Sequence, residues 1–140
     1  MKIAPDLQHR WDLITEKGKP GLIEAIGIRL TRLDHGLVQA EMPVTDTVKQ
    51  PFGLLHGGAS VCLAETVASV GSWMLIDPET QRAAGLEINA NHLRAVSGGT
   101  IYAEATILHQ GKKTHVWQIS IRDEQDRPVC ASRCTVAILS

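Results

Sequence analysis

Between Gly57 and Ile76 the chain carries one charged side chain, Glu65, and the residues leading into that stretch read Gln50-Pro51-Phe52-Gly53-Leu54-Leu55-His56-Gly57-Gly58. The stretch has the length of a helix of about five turns. At 100° per residue, Gly58, Cys62, Ser69 and Ser72 fall within about a third of a turn of Glu65. Leu63, Val67, Val70 and Met74 fall opposite. One face is a branched apolar stripe fit to pack on a sheet. The other is small and mildly polar, and it holds the carboxylate.

Solvated helix faces carry Lys–Glu pairs, and this one has none. The expectation is that Glu65 is at least partly buried, which raises a carboxyl pKa and suits it to acid–base work. The plainer alternative is a surface residue or a partner for an arginine. The first N–H groups of a helix lack intrahelical acceptors and carry partial positive charge. Glycines at Gly57 and Gly58 let a developing oxyanion come close to them. Here the plainer alternative is a turn that only reverses the chain. One carboxylate and one amide donor suffice for attack on an activated carbonyl whose leaving group needs no strong acid. Neither G-x-G-x-x-G, G-x-x-x-x-G-K-S/T nor G-x-S-x-G occurs, which weakens dinucleotide, phosphate-loop and serine-nucleophile readings.

The rest of the chain must position this helix. Residues 6–18 read as a short amphipathic helix ended by Gly18, with Leu7, Trp11 and Ile14 on one side. Residues 26–33 and 37–43 read as strands joined by Asp34-His35-Gly36, a hairpin signal. Residues 44–52 are a polar loop, and Asp77-Pro78-Glu79 stops the long helix. Four further runs, 83–94, 101–109, 115–122 and 129–139, alternate as strands do, with Ser97-Gly98-Gly99 and Gly111-Lys112-Lys113 as breaks. The order helix, β-β, long helix, β-β-β-β predicts an α+β domain with an antiparallel sheet against one helix.

At 140 residues the chain makes one domain, and 44% hydrophobic with 21% charged residues rules out disordered and collagen-like classes. Aromatic residues are 4%, so the core must come from Val, Ile, Leu and Ala. A net charge of −1 disfavours a nucleic-acid partner. Three cysteines cannot all pair and no signal-peptide pattern precedes them, so the expected setting is cytoplasmic, with free thiols. Cys130 and Cys134 share a strand face and lack a second Cys/His pair, which predicts two buried small hydrophobes and no metal. The long helix has the length to cross a bilayer, but its serines, glycines and central Glu65 fit burial in a soluble protein better, with no membrane partner.

The run from Gln50 to Gly58, continued by Ala59-Ser60 and Leu63-Ala64-Glu65-Thr66, resembles the hot-dog fold acyl-CoA thioesterases of the phenylacetate/enterobactin-associated branch. Gly85-Leu86-Glu87-Ile88-Asn89-Ala90-Asn91-His92 and His115-Val116-Trp117-Gln118-Ile119 resemble the same branch. The likeness covers residues 20–139 and is nearest to the 1,4-dihydroxy-2-naphthoyl-CoA hydrolase type and its sister that clears misloaded enterobactin carrier protein. It leaves residues 1–19, read above from their own pattern, as a helical extension and implies a hot-dog domain over 20–140, a curved antiparallel sheet wrapped around one long central helix. It implies homodimers paired through the strand carrying Glu87 to His92, dimers of dimers forming a homotetramer, and active sites at the dimer interface.

The same resemblance implies roles. Glu65 acts as nucleophile or as general base on water, and the Gly57 N–H is the oxyanion donor. His56 and Gln50 help hold the carbonyl and the attacking water or leaving thiolate. Ser69 supports the hydrolytic step, and His92, Arg94, Lys112 and Lys113 grip CoA phosphates. For those last four, solvated charges at strand ends is the alternative. The implied substrate is an acyl- or aryl-CoA, or an acyl-carrier protein, with no separate cofactor because CoA is part of the substrate. Two other readings stay open: an acyl-thioester hydratase or dehydratase, whose H-F-P-x-x-P and Asp-x-x-x-x-His patterns are not apparent, and a non-catalytic acyl-thioester binder.

Overall fold

A computed structural model describes residues 1–140. Alternation with period two builds the sheet. In β3 (Leu37–Pro43) Val38, Ala40 and Met42 are buried, and in β5 (Thr100–Gln110) Ile101, Ala103 and Ala105 are. Further along, β6 (Thr114–Arg122) turns His115, Trp117, Ile119 and Ile121 inward, and β7 (Pro128–Leu139) turns Cys130, Ser132, Cys134 and Val136 inward. The two cysteines thus take the same buried face, as their spacing predicts.

With β1 (Lys2–Ile3), β2 (Arg29–Asp34) and β4 (Arg82–His92), these strands form one seven-stranded sheet in the order β1-β2-β3-β5-β6-β7-β4. Every pairing is antiparallel except β1 with β2, so the sheet is mixed rather than wholly antiparallel. Two residues are too few to leave a periodic signal, which is why β1 escapes sequence reading. The N-terminal stretch is tied down further by Leu7, which is only 1% exposed, and by α1 (Gln8–Lys17), closed at Gly18. A second helix of four residues, α2 (Leu22–Ala25), follows.

The long helix, α3 (Gly57–Leu75), touches every strand from β2 to β7, so the sheet must curl around it. By length and composition α3 is apolar enough to cross a membrane, yet its apolar stripe lies on the sheet. Leu63, Val67 and Met74 are fully buried there, while Val70, at the margin of the stripe, is half-buried. Ser72 departs from expectation. It lies in the core rather than on the polar face, because Trp117 presses against the helix at Gly71, where a Cβ would lie 2.5 Å from the indole ring. Trp117 Nε1–H donates to Ser72 Oγ at 2.8 Å, and that hydroxyl lies 3.2 Å from His115 Nδ1. Burial holds the His115 imidazole below its ordinary pKa, and the nearby His109 adds to the effect.

One edge of the sheet, β1, is two residues long; the other, β4, offers eleven with no strand beyond it. Leu86 on β4 is 63% exposed. A long, unpaired edge is a surface that proteins ordinarily cover.

Candidate active site

The start of α3 is shaped by its own cap. His56 has an extended backbone (φ −68°, ψ 130°), and its Nδ1 accepts the Gly58 N–H at 2.8 Å. A ring nitrogen that accepts carries no proton, so the ring proton sits on Nε2 and His56 presents a donor outward. Ala59 and Ser60 direct their N–H groups to the His56 carbonyl, whereas no hydrogen bond within the chain uses the Gly57 N–H. That amide is a free donor at the positive end of a helix of nineteen residues.

Two loops bring polar groups beside it. His56 N–H donates to Val48 O and Leu55 N–H to Val96 O, which fixes the approach to α3 between neighbouring loops. The Gln50 side-chain oxygen accepts the Phe52 N–H, leaving its amide N–H groups unused within the chain. His92, at the end of β4, lies against the helix start: a Cβ on Gly57 would sit 2.7 Å from its Nε2. Gln50, Gly57, His92 and Arg94 line one cleft of about 440 Å³.

Glu65 lies elsewhere. With Ser69 it lines a separate groove of about 320 Å³, whose other wall is Leu22 and Ile23 of α2. The carboxylate is exposed, not partly buried as its uncharged helix face suggests. The physical reason is its flank. It looks across to Gly85 on the unpaired edge strand, and nothing in one chain lies over that edge. Cys62, three residues earlier on the same groove, is no rival nucleophile. Burial pushes its thiol up, and the Glu65 charge adds to this, so it stays protonated. Cys134, behind the groove, is pushed up to about 11 by burial, with Glu65 and Glu87 contributing.

The structure therefore groups the expected site residues rather than gathering them all. Gln50, His56, Gly57, His92 and Arg94 cluster at the start of α3, and Glu65 with Ser69 stands two turns on. Lys112 and Lys113, both exposed, lie at the other end of the sheet. His92 pairs with Cys130 and Lys113 O accepts from Ile138 N, eight residues further along β7, which is roughly 26 Å of strand. Sequence reading missed α2, the apolar wall facing Glu65. Its signal was Glu24, three residues after Gly21, whose side chain accepts the Gly21 N–H at 2.8 Å as a helix-start bond. No cluster of three or more His, Cys, Asp or Glu side chains suited to a metal occurs.

The sequence profile of the thioesterase superfamily matches residues 52–130. The chain is 48% identical over 118 residues to a 1,4-dihydroxy-2-naphthoyl-CoA hydrolase of Listeria monocytogenes, a match covering 84% of this chain and 95% of that protein. It is 45% identical over 118 residues to the proofreading thioesterase EntH of Klebsiella pneumoniae, covering 84% and 85% respectively. Among solved structures, a thioesterase enzyme of Staphylococcus aureus superposes with a TM-score of 0.83 at 46% identity, covering 84% of this chain and 98% of that one. Two alanine variants of that protein have been solved, one at a glutamine and one at a glutamate fifteen residues later. Gln50 and Glu65 stand at the same separation here.

Proposed function

The chain belongs to the thioesterase superfamily and is a hydrolase acting on thioesters, built on the hot-dog fold; from that premise we propose that it cleaves an acyl- or aryl-CoA in sites shared between two subunits. In each site Glu65 comes from one subunit and the Gly57 N–H from the other.

The observation that carries this reading is a separation. Glu65 lies eight positions after Gly57 on α3, which is about 12 Å along the axis and about 80° around it. An oxyanion donor and an attacking group must both come within about 3 Å of one carbonyl. In a single chain the two open instead on different clefts. Pairing two copies of β4 edge to edge about a two-fold axis removes the conflict. α3 and β4 run in opposite directions: Gly57 meets His92, and Glu65 meets Gly85. Antiparallel pairing of the edges brings the Gly85 half of one strand beside the His92 half of the other. Each Glu65 then comes near the Gly57 of the other subunit. The same operation covers Leu86 and brings Lys112 and Lys113 toward the cleft that holds His92 and Arg94.

The chemistry follows from the groups. The thioester oxygen accepts the Gly57 N–H, with His56 Nε2–H and the Gln50 amide as further donors. As general base, Glu65 takes a proton from water while the hydroxide adds to the carbonyl carbon. The tetrahedral intermediate then expels the thiolate, which takes the proton back. As nucleophile, Glu65 instead adds to the carbonyl carbon and expels the thiolate to leave a mixed anhydride, which water opens to the free acid and the regenerated carboxylate, the thiolate taking up the released proton. Single turnover in oxygen-18 water separates the routes, because only the anhydride places label in the Glu65 carboxylate. The glutamine and glutamate chosen for alanine substitution in the Staphylococcus aureus thioesterase support the same pair of residues. Release of free thiol from a panel of acyl- and aryl-CoA esters, with Glu65→Gln as control, tests the reading. A Glu65→Gln enzyme with near-normal turnover would sink it.

A further inference from the structure

The edge strand is irregular at one place, and that place faces Glu65. Gly85 pairs with Val136 and Glu87 with Thr135, so Leu86 is the extra residue of a bulge in β4. A Cβ on Gly85 would lie 2.7 Å from Glu65 Oε1, closer than carbon and oxygen can approach. The backbone does not itself demand glycine here. Gly85 is not among the residues with positive φ, unlike Gly27, Gly36, Gly53 and Gly99. Glycine at a bulge without that conformational need marks close approach of another group, and the group is the carboxylate.

We propose that Gly85 is a positioning residue: the bulge lowers a side-chain-free stretch of backbone onto Glu65 and fixes where its carboxylate points. The inference rests on the reading of Glu65 as the group that attacks or activates water. A methyl at position 85 must displace the carboxylate, since the strand is held by its ladder to β7 and the Glu65 side chain is the part free to move. Near-attack geometry tolerates about 1 Å of misplacement only at a cost of about 10²-fold in rate. The loss is expected on turnover more than on substrate binding, because position 85 meets the attacking carboxylate directly and, within its own chain, does not line the cleft at the helix start.

The test is a double-mutant cycle read by steady-state kinetics on one CoA thioester. Gly85→Ala is expected to lower kcat by at least about 10-fold, with KM within about twofold of the parent and oligomeric state unchanged. Glu65→Asp shortens the side chain by one methylene and makes room for the methyl. In that background Gly85→Ala is expected to change kcat by less than about twofold, a coupling that contacting residues show and separate ones do not. Should Gly85→Ala alone fail to fold, recovery of folding on adding Glu65→Asp supports the contact, and failure of both chains overturns it. An equal loss in both backgrounds, no loss, or a loss that tracks a change of oligomeric state also overturns the inference. Glu65→Gln in the same series keeps the two claims apart. If it abolishes turnover while Gly85→Ala is harmless, only the positioning role falls.

Discussion

The two flanks of α3 are built on opposite principles. Toward β6 and β7 the helix is locked: Trp117 lies on Gly71, Ser72 is bonded to Trp117 and His115, and Leu63, Val67 and Met74 are fully buried. Toward β4 the helix is open: Glu65 is exposed, its neighbour is a glycine, and the strand beyond it has no further partner. The locked flank fixes the backbone so that the open flank can hold reacting groups at set positions. Stability and chemistry therefore sit on different faces of one helix, and substitutions should separate them.

Glu65→Gln gives the largest expected effect: a loss of about 10³-fold in thioester hydrolysis, the scale of a removed base. Because the Glu65 side chain forms no ion pair within the chain, the unfolding free energy should move by no more than about 0.5 kcal/mol. A large stability change, seen by urea titration, would place Glu65 among structural residues instead.

Gly57→Pro probes the other half of the site. Proline is tolerated at the first position of a helix, the preceding His56 already has the extended backbone it needs, and the N–H it removes serves no bond in the chain. Turnover should fall about 10²–10³-fold, the usual cost of one oxyanion donor, with His92 shifting to admit the ring. Unchanged kcat would mean that this amide meets no oxyanion.

On the locked flank the signs reverse. Gly71→Ala drives a methyl into Trp117 and should destabilise the fold by about 1–3 kcal/mol. Activity per folded molecule should stay within about twofold, as measured by active-site titration below the unfolding midpoint. A selective loss of turnover would join the two flanks in function.

The smallest effect is a pH dependence. His115 has a lowered pKa in the folded chain, so the unfolded chain binds the proton more readily. Its contribution is complete above the ordinary value of 6.5 and is lost as pH falls below it. Chemical unfolding midpoints should therefore drop between pH 7 and pH 5, and His115→Gln should flatten that drop. An unchanged slope in the variant assigns it to other groups.

The locked flank was legible in the sequence because burial imposes a period. Ile101, Ala103 and Ala105, or Leu63 and Val67, announce their face by spacing alone. Two parts were not legible. β1 is too short to carry a period, and Ser72 was drawn into the core by a tryptophan forty-five positions away. The open flank was legible in kind but not in geometry. A lone carboxylate and a glycine-rich helix start pointed to acyl transfer, but the exposure of Glu65 follows from an edge strand that one chain leaves uncovered.

The shared site is tested most directly by complementation. Glu65→Gln and Gly57→Pro chains, each nearly inactive alone, are co-expressed with two different tags and purified through both. If every site draws Glu65 and Gly57 from different subunits, one site of each mixed dimer is intact, and about a quarter to a half of the parental turnover returns. If mixed dimers form and remain as inactive as either parent, both groups act within one chain and the account is wrong.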